Sequence, residues 1–325
     1  MIARLRLGIA ALTLLALFCG KHEKPLALTT ISANLNPNLN YAPLVMAKEE
    51  GYFREEGIDV SFVTLDANSA LLAVSTGKLD VLSGPVRSGL FNLIVRGVPL
   101  QVVADRGHSE PGRCASEAFA APVATAERIA RTRSFRHERF AIIRGGITEY
   151  LIERILEREH LTPADVQFVQ LPQGDYTSSV SRQIDAIRYT LEPNLSSAIA
   201  KGLVKPVVTM EEIAPGHQFG VLAFGKRLLH DDPALGRRFM RAYLRGVRRY
   251  NEGKTERNVA IVAKFTKLPP DIVKRACWQT VSIDGRVRAE AVQPLLAWAR
   301  KRGYLEADVP TSAWWNSSFV DAAAR

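Results

Sequence analysis

The stretch YAPLVMAKEEGYFREEGIDVSFV, Tyr41 to Val63, decides how the chain is read. Leu44, Val45 and Ala47 give its first segment an apolar side, and Lys48, Glu49 and Glu50 make the end of that segment polar, which predicts a short helix. Gly51 stops the helix, because glycine enters the left-handed backbone region without the clash that a Cβ would cause. Gly57 ends a second turn in the same way, and Ile58, Val60, Phe62 and Val63 supply a β-rich run.

Before this stretch, Thr29 to Leu35 predicts a first strand, followed by an asparagine-rich loop, Asn36 to Asn40. After it, Asp66-Ala67-Asn68-Ser69 offers capping side chains to a helix over Ala70 to Thr76, and Ser69 is assigned to capping. Gly77 closes that helix. A strand over Leu79 to Ser83, a Gly84-Pro85 turn, a helix over Arg87 to Arg96 and a strand over Leu100 to Ala104 follow. Strands alternating with short helices imply parallel pairing through crossovers. From Asp105 to Pro122 the periodicity fails and turn residues gather, which reads as a first crossing between lobes. A second, similar unit follows: strand Arg139 to Ile143, turn Gly145-Gly146, helix Thr148 to His160, strand Val166 to Leu171, helix Leu195 to Lys201 and strand Val204 to Thr209. Gln218 to Phe224 reads as a strand returning to the first lobe. Helices are predicted beyond it, over Pro233 to Asn251, Glu256 to Phe265, Pro270 to Gln279 and Ala289 to Arg302.

In Ala47, Lys48, Gly51, Tyr52, Phe53, Glu56, Gly57, Ile58 and Val60 the chain resembles the periplasmic substrate-binding proteins of ABC importers, in the group that binds nitrate, sulfonates, taurine and thiamine-pyrimidine precursors. Ala73 to Val81 is similar to a second motif of that group, apart from Val74, and Leu161 to Val166 to a third, with His160 where glycine is usual. In a repeat of the second motif, Ser179 to Ala186, the glycine is missing. The resemblance implies an α/β fold of two lobes, each a mostly parallel sheet flanked by helices, with a C-terminal helical layer. It divides the chain into a signal and tether over 1–24, a first lobe over 27–110 and 218–325, and a second lobe over 111–217. The function it implies is capture of a small organic or anionic solute in the cleft and delivery to a permease and its ATPase. No P-loop is present, so those parts are expected on separate chains. The alternatives are a periplasmic sensor subunit and an enzyme similar to thiamine-pyrimidine synthases. No nucleophile elbow supports catalysis, no cofactor is implied, and an exported binding protein is the leading expectation.

Composition agrees with an ordinary globular protein of 325 residues, 47% hydrophobic and 23% charged, with a formal net charge of +10. The densest basic group, Arg237, Arg238, Arg241, Arg245, Arg248 and Arg249, falls on a helical pattern with Phe239, Met240, Tyr243, Leu244 and Val247, and reads as a solvated helix face. No nucleic-acid signature accompanies it. Arg4, Arg6 and the apolar run Leu7 to Phe18 read as a secretory signal, so the protein is expected in the periplasm or on the extracytoplasmic face of the membrane. Cys19-Gly20 stands where a lipoprotein cysteine would, and lipid attachment at Cys19 and ordinary cleavage are both open. Cys114 and Cys277 remain; they lie in no metal-ligand spacing, an oxidising compartment leaves a disulfide between them open, and the default is two isolated core cysteines.

Ligands of open parallel sheets sit beyond the carboxyl ends of the strands. That rule selects Asn38 and Tyr41 in the first loop, Asn68 in the second, and Gly84 with Arg87 in the third, each against a bland alternative of capping, packing or, for Arg87, surface exposure. Gly146 and Thr148 open a helix whose backbone N–H groups can approach an anion. By resemblance, Tyr189 and Glu192, beside Pro193, are second-lobe cleft residues; Glu192 as a helix N-terminal acid is the competing reading. His217 and Gln218 lie near the second crossing and serve either cleft or hinge, while His108 and His137 have no partner at ligand or triad spacing. No metal site is expected.

Overall fold

The computed structural model describes residues 28–142, 144–170 and 186–324. The signal region, Cys19 and the segment Ser179 to Asp185 lie outside the described residues.

The chain opens with β1 (Thr29–Asn34), α1 (Ala42–Glu49), α2 (Tyr52–Glu55) and β2 (Ile58–Val63). Gly51, with φ +80°, makes the left-handed joint between α1 and α2 that the sequence required. The strands β1 and β2 pair in parallel with Ile31 opposite Val60, which turns Ile31, Ala33, Ile58 and Val60 into the core. Next come α3 (Ala67–Ser75), β3 (Val81–Pro85), α4 (Ser88–Val95) and β4 (Gln101–His108). Asp66, not Ser69, caps α3: its Oδ1 accepts from the backbone N–H groups of Asn68 and Ser69 at 2.9 and 3.1 Å.

The second unit runs β5 (Glu117–Pro122), α5 (Val123–Thr132), β6 (Arg139–Ile142), α6 (Ile147–Arg158), β7 (Gln167–Gln170), β8 (Arg188–Leu191), α7 (Asn194–Ala200), β9 (Val204–Thr209) and α8 (Met210–Ile213). The stretch expected to be irregular from Asp105 to Pro122 is therefore shorter, since β4 continues to His108 and β5 begins at Glu117. Then β10 (Gln218–Phe224) returns to the first sheet, whose order is β2-β1-β3-β10-β4. There β10 is antiparallel to both its neighbours, so the sheet is mixed and not wholly parallel. The second lobe holds the antiparallel strands β8-β5-β9 and the parallel pair β6-β7, linked by a bridge from Phe140 to Ile187.

Helices α9 (Pro233–Asn251), α10 (Glu256–Thr266), α11 (Pro270–Arg275), α12 (Gln293–Lys301), α13 (Thr311–Trp314) and α14 (Ser318–Ala323) form the C-terminal layer. Of these, α9 has the bounds the periodicity predicts, and its apolar side packs Phe239 against Phe53 at 4.9 Å between ring centroids. Its arginines are not merely solvated. Arg238 donates to the Glu56 carbonyl at 2.7 Å, Arg241 pairs with the Glu56 carboxylate at 2.6 Å, and Arg245 pairs with Glu55 at 2.5 Å while lying 4.0 Å from the Tyr52 ring centroid. The basic face thus clamps α2, although such part-exposed pairs each contribute under about 1 kcal/mol.

Gly246 lets α1 and α9 touch. A Cβ at this position would lie 2.3 Å from the Pro43 carbonyl oxygen and 2.8 Å from the Ala47 Cβ. Gly246→Ala is expected to destabilise the protein by about 1–3 kcal/mol in urea unfolding, despite alanine's better helix propensity, because α1 has to move. An unchanged midpoint would rule out the close approach.

The C-terminal layer is not confined to one lobe. Beside α12, Tyr304 donates to Glu149 Oε1 of α6 at 3.1 Å, and its carbonyl accepts from Asn92 of α4 at 2.9 Å. Trp298 donates to Glu153 of α6 at 2.9 Å. One hydrophobic cluster runs from Leu90 and Phe91 through Leu295 and Ala299 to Leu151 and Ile155.

Candidate functional site

A pocket of about 380 Å³, including the solvent at its mouth, opens at the carboxyl ends of β1 and β3. Its polar lining is Asn34, Asn36, Tyr41, Ser83 and Arg87, and Gly84 leaves one wall without a side chain. The parallel pairing of β1 with β3 dictates the arrangement: Asn34 donates to the Ser83 carbonyl at 2.8 Å and accepts from the Ser83 N–H at 2.7 Å, so a side-chain amide continues the ladder where the strands part. Tyr41, 4% exposed, donates to the same carbonyl at 3.2 Å. Arg87 is half-buried at the pocket's rim, and its Nη2 donates to Oδ1 of the exposed Asn68 at 2.9 Å. Tyr41, Gly84 and Arg87 therefore share one pocket, with Asn68 held against it.

The other residues singled out in the sequence lie elsewhere. Asn38 caps the turn Leu39–Tyr41, accepting from the Asn40 N–H at 3.1 Å. Gly146 is the N-cap of α6, and Thr148 is buried in its first turn. The adjacent Gly145 N–H donates to Glu149 Oε2 at 2.7 Å, so the helix's own acid occupies that donor. The Gly145 carbonyl accepts from Ser88 Oγ at 2.9 Å, a contact from the pocket's side of the molecule to the second lobe.

Glu192 acts as a helix N-terminal acid and as a tie between lobes. Its carboxylate accepts from the Ser196 N–H and Oγ at 2.9 and 2.8 Å and from the Cys277 N–H at 3.3 Å, while its carbonyl accepts from Leu39 at 3.2 Å. Burial pushes its carboxyl up from the usual range, opposed by the Ser196 hydrogen bonds. Cys277 is bonded to Cys114, with 5.7 Å between Cα atoms, so of the two readings the sequence left open the disulfide holds and the default of isolated cysteines does not.

Under Tyr41 lies a buried group that the sequence reading missed. The Arg106 guanidinium, on β4, stands 4.5 Å from the Tyr41 ring centroid and 5.9 Å from that of Phe219 on β10. Glu117, at the start of β5, accepts from the Tyr189 hydroxyl and from Gln279 Nε2, the latter at 2.9 Å. In sequence, Arg106 and Glu117 are two charges among several in a turn-rich stretch that also holds Asp105, Glu110 and Arg113, and nothing there singles them out.

At the crossing strands, Asp105 gathers donors from Gly107, Gln218, Ser282 and His108, at 2.7, 2.7, 2.7 and 2.9 Å. His108 does have a partner, therefore, three residues before it, and Gln218 serves the crossing rather than the pocket. His217 is neutral, its pKa pushed down to about 4 by burial.

The sequence profile described as NMT1/THI5-like matches residues 38–252. No curated protein matches the chain. Among solved structures, the periplasmic nitrate-binding protein of Synechocystis superposes with a TM-score of 0.74 at 15% identity, over 91% of this chain and 88% of that one. The periplasmic aliphatic sulphonate-binding protein of Escherichia coli gives 0.65 at 16% identity, over 91% and 94%. A desulfurization enzyme gives 0.63 at 14%, over 91% and 98%, so both binding proteins and an enzyme share this two-lobe architecture.

Proposed function

The chain belongs to the NMT1/THI5-like family, and on that premise we propose that it is the extracytoplasmic solute-binding component of an ABC-type importer, holding a small solute between its lobes for a separate permease and ATPase. The observation that carries this reading is the pocket of Asn36, Tyr41, Ser83, Gly84 and Arg87, placed where the carboxyl ends of β1 and β3 meet the approach to α6. Open α/β sheets hold small ligands at this place. In this reading the lobes divide as 27–110 with 218–325, and 111–217, with α12 packed against both. The protein works in the periplasm, and any lipid on Cys19 only anchors it.

The same reading makes it a carrier and not an enzyme. Its support is the spent chemistry of the nucleophile candidates: Cys114 and Cys277 are joined to each other, and His108 and His217 are buried away from the pocket.

The test is a thermal-shift and calorimetric screen of nitrate, ethanesulfonate, taurine, an aminopyrimidine and simple amines. A ligand at a hundredfold over its Kd adds about 2.7 kcal/mol of stability. Arg87→Ala is expected to weaken the best ligand at least about tenfold, the loss of one charge-assisted hydrogen bond. A protein whose stability none of these ligands raises is not a solute carrier of this group.

A further inference from the structure

Two buried charged residues have no pocket-lining role: Arg106, beneath the Tyr41 ring, and Glu117, near enough for the Arg106 charge to act on its carboxyl. Arg106 is 1% exposed, and neither its Nε nor its Nη1 has a protein partner among the described residues. Aromatic rings attract a cation but offer no acceptor in the plane of the guanidinium, so two of its strongest donors stay unused. The space for it is built in, because a Cβ on Gly220 would lie 2.7 Å from Arg106 Nη2. A buried cation kept with free N–H groups between two rings is a receptor geometry for a planar or tetrahedral anion.

The group beside it is an acid. Glu117 is 1% exposed, and burial pushes its carboxyl up to about 8, with the Tyr189 hydrogen bond and the Arg106 charge holding it down and the Glu211 charge adding to the rise. The titratable and charged groups that face it are Arg106 of β4, Tyr189 of β8 and Glu211 of α8, and Gln279, from the segment after α11, covers it with an amide. Two anions cannot share one buried cation without repulsion.

Resting on the solute-binding reading above, we propose that Arg106 is a buried receptor for an anionic group of the solute, and that Glu117 is its internal competitor, so that anion capture is coupled to the uptake of one proton. Arg106 lies on β4 and Phe219 on β10, the two strands that cross between lobes, while Glu117 begins the second lobe and Tyr41 lines the pocket. Parting of the lobes opens the space between the Tyr41 and Phe219 rings to that pocket. With Glu117 neutral, the cation is available. With Glu117 ionised, the incoming anion must first drive a proton back onto it.

The test uses the full chain and two anions that keep a single charge across the range, nitrate and ethanesulfonate, titrated calorimetrically from about pH 6 to pH 10. Above the Glu117 pKa of about 8, affinity is expected to fall about tenfold per pH unit in the wild type, as linkage to one proton requires. Glu117→Gln, which imitates the protonated acid, is expected to keep the affinity flat over the same range. Titration in two buffers of different ionisation heat should count about one proton taken up per anion near pH 9 in the wild type and none in Glu117→Gln. Arg106→Met should abolish anion binding, and if that variant fails to fold, the Glu117→Gln comparison decides alone. Equal pH dependence in wild type and Glu117→Gln overturns the proposal and leaves the carrier reading intact, as does binding of a neutral aminopyrimidine with no anion binding. Silence toward every ligand overturns both.

Discussion

Replacing Cys114 and Cys277 together by serine is expected to lower the unfolding free energy by about 3–5 kcal/mol. The bond closes a loop of 163 residues in sequence separation. The chain-entropy relation for so long a loop gives about 5 kcal/mol, and measured disulfides commonly deliver somewhat less. The position adds to the effect. Cys114 stands just before β5 of the second lobe, and Cys277 stands just after α11 in the helical layer. Its N–H also meets Glu192, so loss of the bond loosens a junction that already carries a buried carboxylate. Urea unfolding of oxidised wild type and the double serine variant measures the difference directly; coincident curves would mean that the bond constrains nothing.

Glu117→Gln is expected to act in the opposite direction. Burial raises the folded-state pKa of this acid to about 8, above its ordinary value of 4.5. A raised carboxyl contributes stability that is fully present below the unfolded value and is lost as pH rises through the folded one. Between those limits the loss grows by about 1.4 kcal/mol per unit. The amide cannot ionise, so the variant escapes that loss. After discounting for a less suitable partner to the Tyr189 hydroxyl, a gain of about 2–3 kcal/mol is expected near pH 8, shrinking to nothing near pH 5. Denaturant unfolding of both proteins at the two pH values checks it, and a gain that does not change with pH would place the effect in packing instead.

The parts of this architecture that could be read from sequence are those set by local rules. Gly51 and Gly57 punctuate helix, turn and strand because few other residues tolerate their positive φ. The long helix over Pro233–Asn251 is legible because its apolar positions repeat and proline and Asp232 mark its start. By contrast, Glu117–Pro122 is a run of alanines around one phenylalanine, with no β-branched residue, and it becomes a strand because β8 and β9 flank it on both edges. The pocket was half-legible for the same reason. Tyr41 and Arg87 follow strands and Gly84 lies at the end of one, so they could be placed by rule, whereas Glu117 meets Gln279 across 162 residues through tertiary structure alone. Glu192 and Tyr189 were visible as residues, but their partners, Cys277 and Glu117, were not.

The position of β10 carries a consequence for how the molecule is made. It lies between β3 and β4, so the first sheet's two outer parts have no partner along those edges until Gln218–Phe224 has emerged. The second unit, from Glu117 to Ile213, is contiguous and has all its strands before that moment. Made from the N-terminus, the chain therefore has every described strand of its second lobe before β10, although α12 and Cys277 seal that lobe later, while α1 and β3 wait with apolar faces uncovered for α9 and β10. The earliest residues to arrive must wait to be sealed, and the exposed edges of β3 and β4 are where a chaperone, or a neighbouring chain, has time to act.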